Sequence, residues 1–215
     1  VTRGRFITLE GGEGAGKSTH IVRLAEALRK GGIEVTTSRE PGGAPGAEAI
    51  RALLVEGEAA RWDPLSELLL YLAARREHVR RTIEPALARG AWVLCDRFSD
   101  STMAYQGYGH RLGREVVAAA GKLALGDFAP DLTLILDLPV EQGLQRAKAR
   151  AGDAASGETR YERMDLDFHR RLREGFLDIA RREPGRCRLV DASQPMAAVA
   201  AELRRLVAER FALAL

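Results

Sequence analysis

Hydrophobic positions along the chain fall into two alternating patterns. Short continuous apolar runs sit at Arg5–Leu9, Ile33–Ser38, Ala91–Asp96, Asp131–Leu138 and Cys187–Ala192. Between them lie segments with helical spacing. Lys17–Arg29 places Ile21, Leu24, Ala25 and Leu28 on one face, and Gly31 and Gly32 stop it. Ala47–Val55 is a short helix. Asp63 and Pro64 open a longer one as N-cap and first helical residue, and Pro85 either kinks it or marks a new start. Gly113–Leu125, Val140–Arg150, Leu166–Arg182 and Met196–Phe211 complete the helices. Strands that are apolar throughout, separated by helices, predict an α/β fold with a central parallel sheet covered on both faces. Glu40–Gly46, "EPGGAPG", is a loop. Ala151–Arg160, "AGDAASGETR", is small and polar and is expected to be a mobile excursion from a single domain spanning residues 1–215.

Composition narrows the picture a little. Of 215 residues, 46% are hydrophobic and 29% charged, an ordinary globular balance with enough chain for a sizeable core. The net charge of +3 gives little support to a nucleic-acid-binding surface; the arginines are either solvated faces or a cluster around an anionic ligand. The two cysteines lie far apart, no zinc spacing occurs and no signal-like or membrane-spanning apolar stretch is seen, which reads as a reduced, cytoplasmic protein. The four histidines show no metal-ligand spacing.

One segment carries explicit chemistry. After the first apolar run comes Gly11-Gly12-Glu13-Gly14-Ala15-Gly16-Lys17-Ser18, a G-x-x-x-x-G-K-[ST] loop between a strand and a helix. Glycines let backbone N–H groups turn inward to phosphate oxygens, and the helix N-terminus adds partial positive charge. Lys17 is placed for the β- and γ-phosphates and the Ser18 hydroxyl for Mg²⁺. The nucleotide-binding set is Gly11, Gly12, Glu13, Gly14, Ala15, Gly16, Lys17, Ser18 and Thr19. No N-K-x-D or L-S-G-G-Q segment is present, which favours a small kinase over a GTPase or a transporter ATPase. A regulatory ATP-binding module is the rival of a different class.

A carboxylate inside a phosphate loop repels phosphate, so Glu13 is either a solvent-facing loop charge or an acceptor for a sugar hydroxyl of a second substrate. The run "VLC" ends in "DRFSDSTMAYQG". Strand carboxyl ends are where such sheets bind ligands; there Asp96 can hold Mg²⁺ or its water, and Arg97 can fork onto a phosphate.

The segments "GGEGAGKST", "SREPGG", "YLAARREHV" and "DRFSDSTMAYQG", followed by an arginine-bearing lid, occur in the order found in the bacterial thymidylate kinase (dTMP kinase) family, which the chain resembles from about Arg5 to its last helix. The resemblance implies a P-loop NTPase fold with a lid at about 150–163, phosphorylation of dTMP to dTDP by ATP with Mg²⁺ on the route to dTTP, and a homodimer. It implies that Glu13 binds the deoxyribose 3′-hydroxyl, that Arg97 holds the acceptor phosphate with Arg39 nearby, and that Tyr71 stands where the family usually has a Phe stacked on thymine. Arg75 would donate to a base carbonyl, Ser101 and Gln106 would line the base and sugar pocket, and Tyr105 would crowd the 2′ position. From the residues alone, Tyr71 in "LLLYL" reads as core and Arg75 as a solvated face. The loop holds no basic residue between Gly11 and Gly16, so the lid is expected to supply positive charge near the γ-phosphate through Arg150 and Arg160, with Arg163 also at hand. The lid departs from the family in "GETRYER", with Thr159 in the acidic position and "AGDAAS" inserted.

Overall fold

The structure is a computed structural model that describes residues 2–58, 61–153 and 160–213, apart from the side chains of 150–153 and 160. Five strands form one sheet: β1 (Phe6–Gly11), β2 (Val35–Arg39), β3 (Trp92–Asp96), β4 (Leu132–Asp137) and β5 (Cys187–Asp191). Their order is β2-β3-β1-β4-β5 and every neighbouring pair is parallel. The register sets Leu9 opposite both Asp96 on β3 and Leu134 on β4. The carboxyl ends of the three central strands therefore open onto one edge, and the chemistry-bearing residues sit there.

Each strand residue faces alternately up and down. Ile7, Leu9, Leu94, Leu134 and Leu136 pack under α1 (Lys17–Lys30) and α9 (Met196–Phe211). Phe6, Val93 and Cys95 face the other way, towards Val79, Ile83, Ala86 and Leu87. On the same side α8 (Leu166–Arg182) brings Phe168, Leu172 and Phe176 against Ile135 and Tyr105. The remaining helices are α2 (Pro45–Val55), α3 (Pro64–His78), α4 (Glu84–Ala88), α5 (Ser99–Thr102), α6 (Arg114–Leu125) and α7 (Val140–Asp153).

Two features differ from the sequence reading. The helix after Asp63 takes the second alternative at Pro85, a new start as α4 with Pro85 in its first turn, but only after an unpredicted π-helical turn, Val79–Ile83. Glu84 N–H bonds to Val79 O, so the ladder has shifted by one residue before the proline, which has no N–H to offer. The second is that "SDSTMAYQGYG" is helical. α5 runs directly into a π-helical stretch, Met103–Gly109, a segment the sequence reading left without an element. Asp63 caps α3 as expected, accepting from Leu65 N and Ser66 N.

Candidate active site

The phosphate loop leaves β1 at Gly11 (φ 131°) and reaches α1 through Gly14 (φ 68°) and Gly16 (φ 85°), all in the region that residues with side chains rarely adopt. Gly14 has a second reason: a Cβ there would lie 2.1 Å from the carbonyl oxygen of Gly143 on α7, and one on Gly143 would lie 2.5 Å from Glu13 O. The loop is wedged against α7 backbone to backbone, and nothing in the sequence marked Gly143. α1 has no side-chain cap and no acidic residue in its first turn, so its N-terminal donors are open to an anion. Ser18 and Thr19 are exposed there. Lys17 folds back onto the loop, donating to Gly11 O (3.1 Å) and Gly12 O (2.8 Å). Burial and the nearby Arg97 pull its ammonium down to about 8, against the carboxylates of Glu13, Asp96 and Glu10. Ser18 Oγ donates to Asp96 Oδ2 at 2.6 Å, so a hydroxyl and a carboxylate meet at the mouth of the loop.

Beside the loop lies a cleft with about 130 Å³ of free volume. Glu13, Tyr71, Arg75, Arg97, Ser101, Tyr105 and Gln106 line it, as do Glu40, Pro41, Arg51, Val55, Thr102 and Tyr161. Glu13 is the hinge between loop and cleft. Its Oε1 accepts from Arg97 Nη2 (3.0 Å) and from the Tyr105 hydroxyl (2.5 Å). Burial alone would raise its pKa, but the Arg97 and Lys17 cations and the Tyr105 hydroxyl outweigh it and hold it at about 2. The solvent-facing alternative for Glu13 is thereby set aside.

Arg97 has φ 69°, rare for a residue with a side chain. The conformation is pinned by its N–H to Leu9 O (3.0 Å), by Cys95 Sγ donating to Arg97 O (3.1 Å), and by Phe98 N–H donating to Glu10 Oε1 (2.7 Å). Its Nη1 reaches Gly11 O and Ser101 Oγ, and its guanidinium sits 5.0 Å above the Tyr105 ring. Glu10, just beyond the predicted strand Arg5–Leu9 but inside β1, is fully buried, and Ser101 Oγ donates to its Oε2 at 2.5 Å.

Arg75 is 2% exposed rather than a solvated face. Nε donates to Glu40 Oε2 (2.6 Å), and Nη2 donates to Phe98 O (3.0 Å) and Thr102 Oγ1 (2.9 Å). Glu40 Oε1 in turn meets His78 Nδ1 (2.9 Å), whose Nε2 meets Ser38 Oγ (2.6 Å). A buried charge of this kind needs its partners in place, and Glu40 and His78 are partners that helical periodicity could not announce. Tyr71 is half-buried at the cleft wall and hydrogen-bonded to Tyr161. Arg39 does not line the cleft; it pairs with Glu48 at 3.1 Å, both side chains well exposed. The lid arginines, Arg150 and Arg160, and the segment 154–159 lie outside the described residues and side chains.

A G-x-x-x-x-G-K-S loop on the central strand of a 2-3-1-4-5 parallel sheet defines a P-loop NTPase fold, and a second cleft lies against the same loop. The thymidylate kinase family model matches residues 9–203. A thymidylate kinase of Caulobacter vibrioides is 56% identical over 99% of this chain and 100% of its own length. One of Magnetococcus marinus is 51% identical over 97% and 98%. Among solved structures, the thymidylate kinase of Ehrlichia chaffeensis superposes with a TM-score of 0.74 at 35% identity, covering 95% of this chain and 99% of that one. The chain belongs to the thymidylate kinase family and is a kinase, as its motifs led one to expect.

Proposed function

We infer that the cleft beside the phosphate loop seats dTMP and that the loop holds ATP, so that the chain, as its family does, phosphorylates dTMP to dTDP for dTTP synthesis. The observation that carries this reading is the placement of Glu13. One carboxylate belongs to the phosphate loop, lines the acceptor cleft and binds both Arg97 and Tyr105. Donor and acceptor sites therefore share a wall, as in-line transfer without a covalent intermediate needs. Lys17, now bonded to loop carbonyls, turns its ammonium to the β- and γ-phosphates. Arg97 takes the acceptor phosphate, and Glu13 accepts from the sugar hydroxyl. Tyr105 fills the space at the 2′ position. Tyr71 supplies a flat wall for the base, and Arg75 Nη1, which makes no bond to described protein atoms, donates to a base carbonyl. Arg39 contributes positive charge beyond the cleft, and Arg150 and Arg160 do so from the lid.

The residues at the loop mouth fit Mg²⁺. Ser18 Oγ and Asp96 Oδ2 converge as two hard oxygen ligands, and no cluster of three or more His, Cys, Asp or Glu is found among the described residues. Two protein oxygens suit Mg²⁺ shared with a nucleotide, since most of its positions then belong to water and phosphate. Ser18 and Asp96 would hold the ion, which when bound neutralises charge on the phosphates.

The reading includes a homodimer and a cytoplasmic setting. Leu65 and Leu69 on α3 and Leu123 on α6 are exposed on helices that pack together, which supports a self-association face testable by sedimentation. Both cysteines are free and no described helix is long and apolar enough to cross a membrane.

The test is coupled ADP release with Mg-ATP and a panel of dTMP, dUMP, UMP, CMP, AMP and GMP. We expect strong turnover of dTMP, weak turnover of dUMP and negligible turnover of ribonucleotides. Preference for another monophosphate would discard the acceptor assignments; ATP binding with no turnover on any would favour a regulatory module.

A further inference from the structure

Gln106 is tied down by one end of its amide. Nε2 donates to Glu67 Oε1 at 2.7 Å and to the Tyr161 hydroxyl at 3.3 Å. Oε1 is buried and finds no partner among the described residues. The two ends of an amide are ordinarily exchangeable, but here the exchange is blocked: Glu67 Oε1 is an acceptor, already taking the Tyr161 hydroxyl, so the NH₂ end must face it. What Gln106 offers to the cleft it lines is therefore an acceptor.

Glu67 itself stands on α3, 2% exposed, and does not line the cleft. The Tyr161 hydroxyl donates to the same Oε1 at 2.7 Å. His110 Nε2 lies 3.3 Å away without making a hydrogen bond, and burial, with Arg171 nearby, pulls the His110 pKa below its ordinary value. An orphaned buried acceptor next to a cleft costs free energy until a ligand donor reaches it.

We propose that Glu67 sets the base selectivity of the cleft without touching the base. By consuming the donor end of Gln106, it leaves an acceptor that matches a pyrimidine carrying N–H at ring position 3, as thymine does. The same acceptor refuses a cytosine-type ring, whose nitrogen at that position is itself an acceptor. The inference rests on the reading that the acceptor's base lies in this cleft, and it makes Glu67 a positioning residue.

Glu67→Gln keeps the volume but can present its own NH₂ or oxygen, which frees the Gln106 amide to turn. The substrates compared are dTMP and 5-methyl-dCMP, which share the methyl group. We expect the ratio of their kcat/KM values to fall about tenfold in Glu67→Gln, the scale of one hydrogen bond exchanged for a mismatch, with KM for ATP unchanged. Glu67→Asp, which keeps the carboxyl group, retains the ratio. In a Gln106→Ala background, adding Glu67→Gln shifts the ratio no further. If Gln106→Ala lowers the ratio and Glu67→Gln does not, the inference is overturned while the cleft assignment stands. If Gln106→Ala leaves the ratio unchanged, the cleft assignment falls and the inference with it. An equal drop in Glu67→Asp and Glu67→Gln, or a rise in KM for ATP, would show a general structural role and overturn the inference. Glu67→Leu replaces Glu67→Gln if the latter melts below the assay temperature.

Discussion

Arg97 is the residue on which most of the site converges. It has one hand on Glu13, one on Ser101 and the loop, and a backbone held in the left-handed region by three hydrogen bonds. Removing it leaves Glu13 with the Tyr105 hydroxyl and the more distant Lys17, and takes a cation from the cleft wall. We expect Arg97→Ala to raise KM for dTMP by about 100-fold, the value of a lost charged contact, and to change KM for ATP by less than about threefold. Steady-state kinetics with each substrate varied separately checks this, and equal losses would mean that Arg97 serves the donor side instead. The sequence pointed to Arg97 because a charged pair, Asp96-Arg97, closes an apolar strand. It did not point to Glu10 or Glu67, whose partners Ser101 and Gln106 lie 91 and 39 positions away. Pairings of that range belong to the folded chain and leave no local pattern.

At the scale of elements, the phosphate loop, α1, the strands and the capped start of α3 were legible because each rests on local periodicity or on a cap. The helix after β3 was not, because the π-helical continuation of α5 uses Gly107 and Gly109 where a helix normally has side chains. The structure gives the reason: Gly109 and Gly175 let this element and α8 approach closely. A Cβ on Gly109 would lie 2.6 Å from the Phe168 ring, and one on Gly175 would lie 2.9 Å from the Tyr108 ring. We expect Gly175→Ala, despite its better helix propensity, to destabilise the protein by about 1–3 kcal/mol through overpacking, read as a lower urea midpoint. A stabilised variant would show that Tyr108 yields without cost. Tyr108 also bonds Asp178 on α8, so its ring has little room to swing.

For the whole molecule, the sheet delivers five strand ends to one edge, and buried charges are concentrated beneath that edge. Glu10 has the clearest pH signature. Burial and the charge of Asp100 push its carboxyl up to about 8, against Ser101, Arg97 and the Phe98 N–H. A carboxyl raised in the folded state binds more protons than in the unfolded chain, so its contribution to stability is complete below about pH 4.5 and is lost as pH rises towards 8. We expect Glu10→Gln, which does not titrate, to gain stability relative to the parent steadily between pH 5 and 8, measured by urea midpoints across that range; parallel curves would place the Glu10 titration elsewhere. The wall around Arg75 has another consequence. Three hydrogen bonds and a seat over the Phe98 ring tie Arg75 to the protein's own groups. The rotamer entropy of a long side chain, lost elsewhere at the moment of association, has here been surrendered during folding. At this part of the cleft, binding is docking onto a prepared surface, so shape and donor pattern decide which ligand is accepted, and adaptation of the wall contributes little.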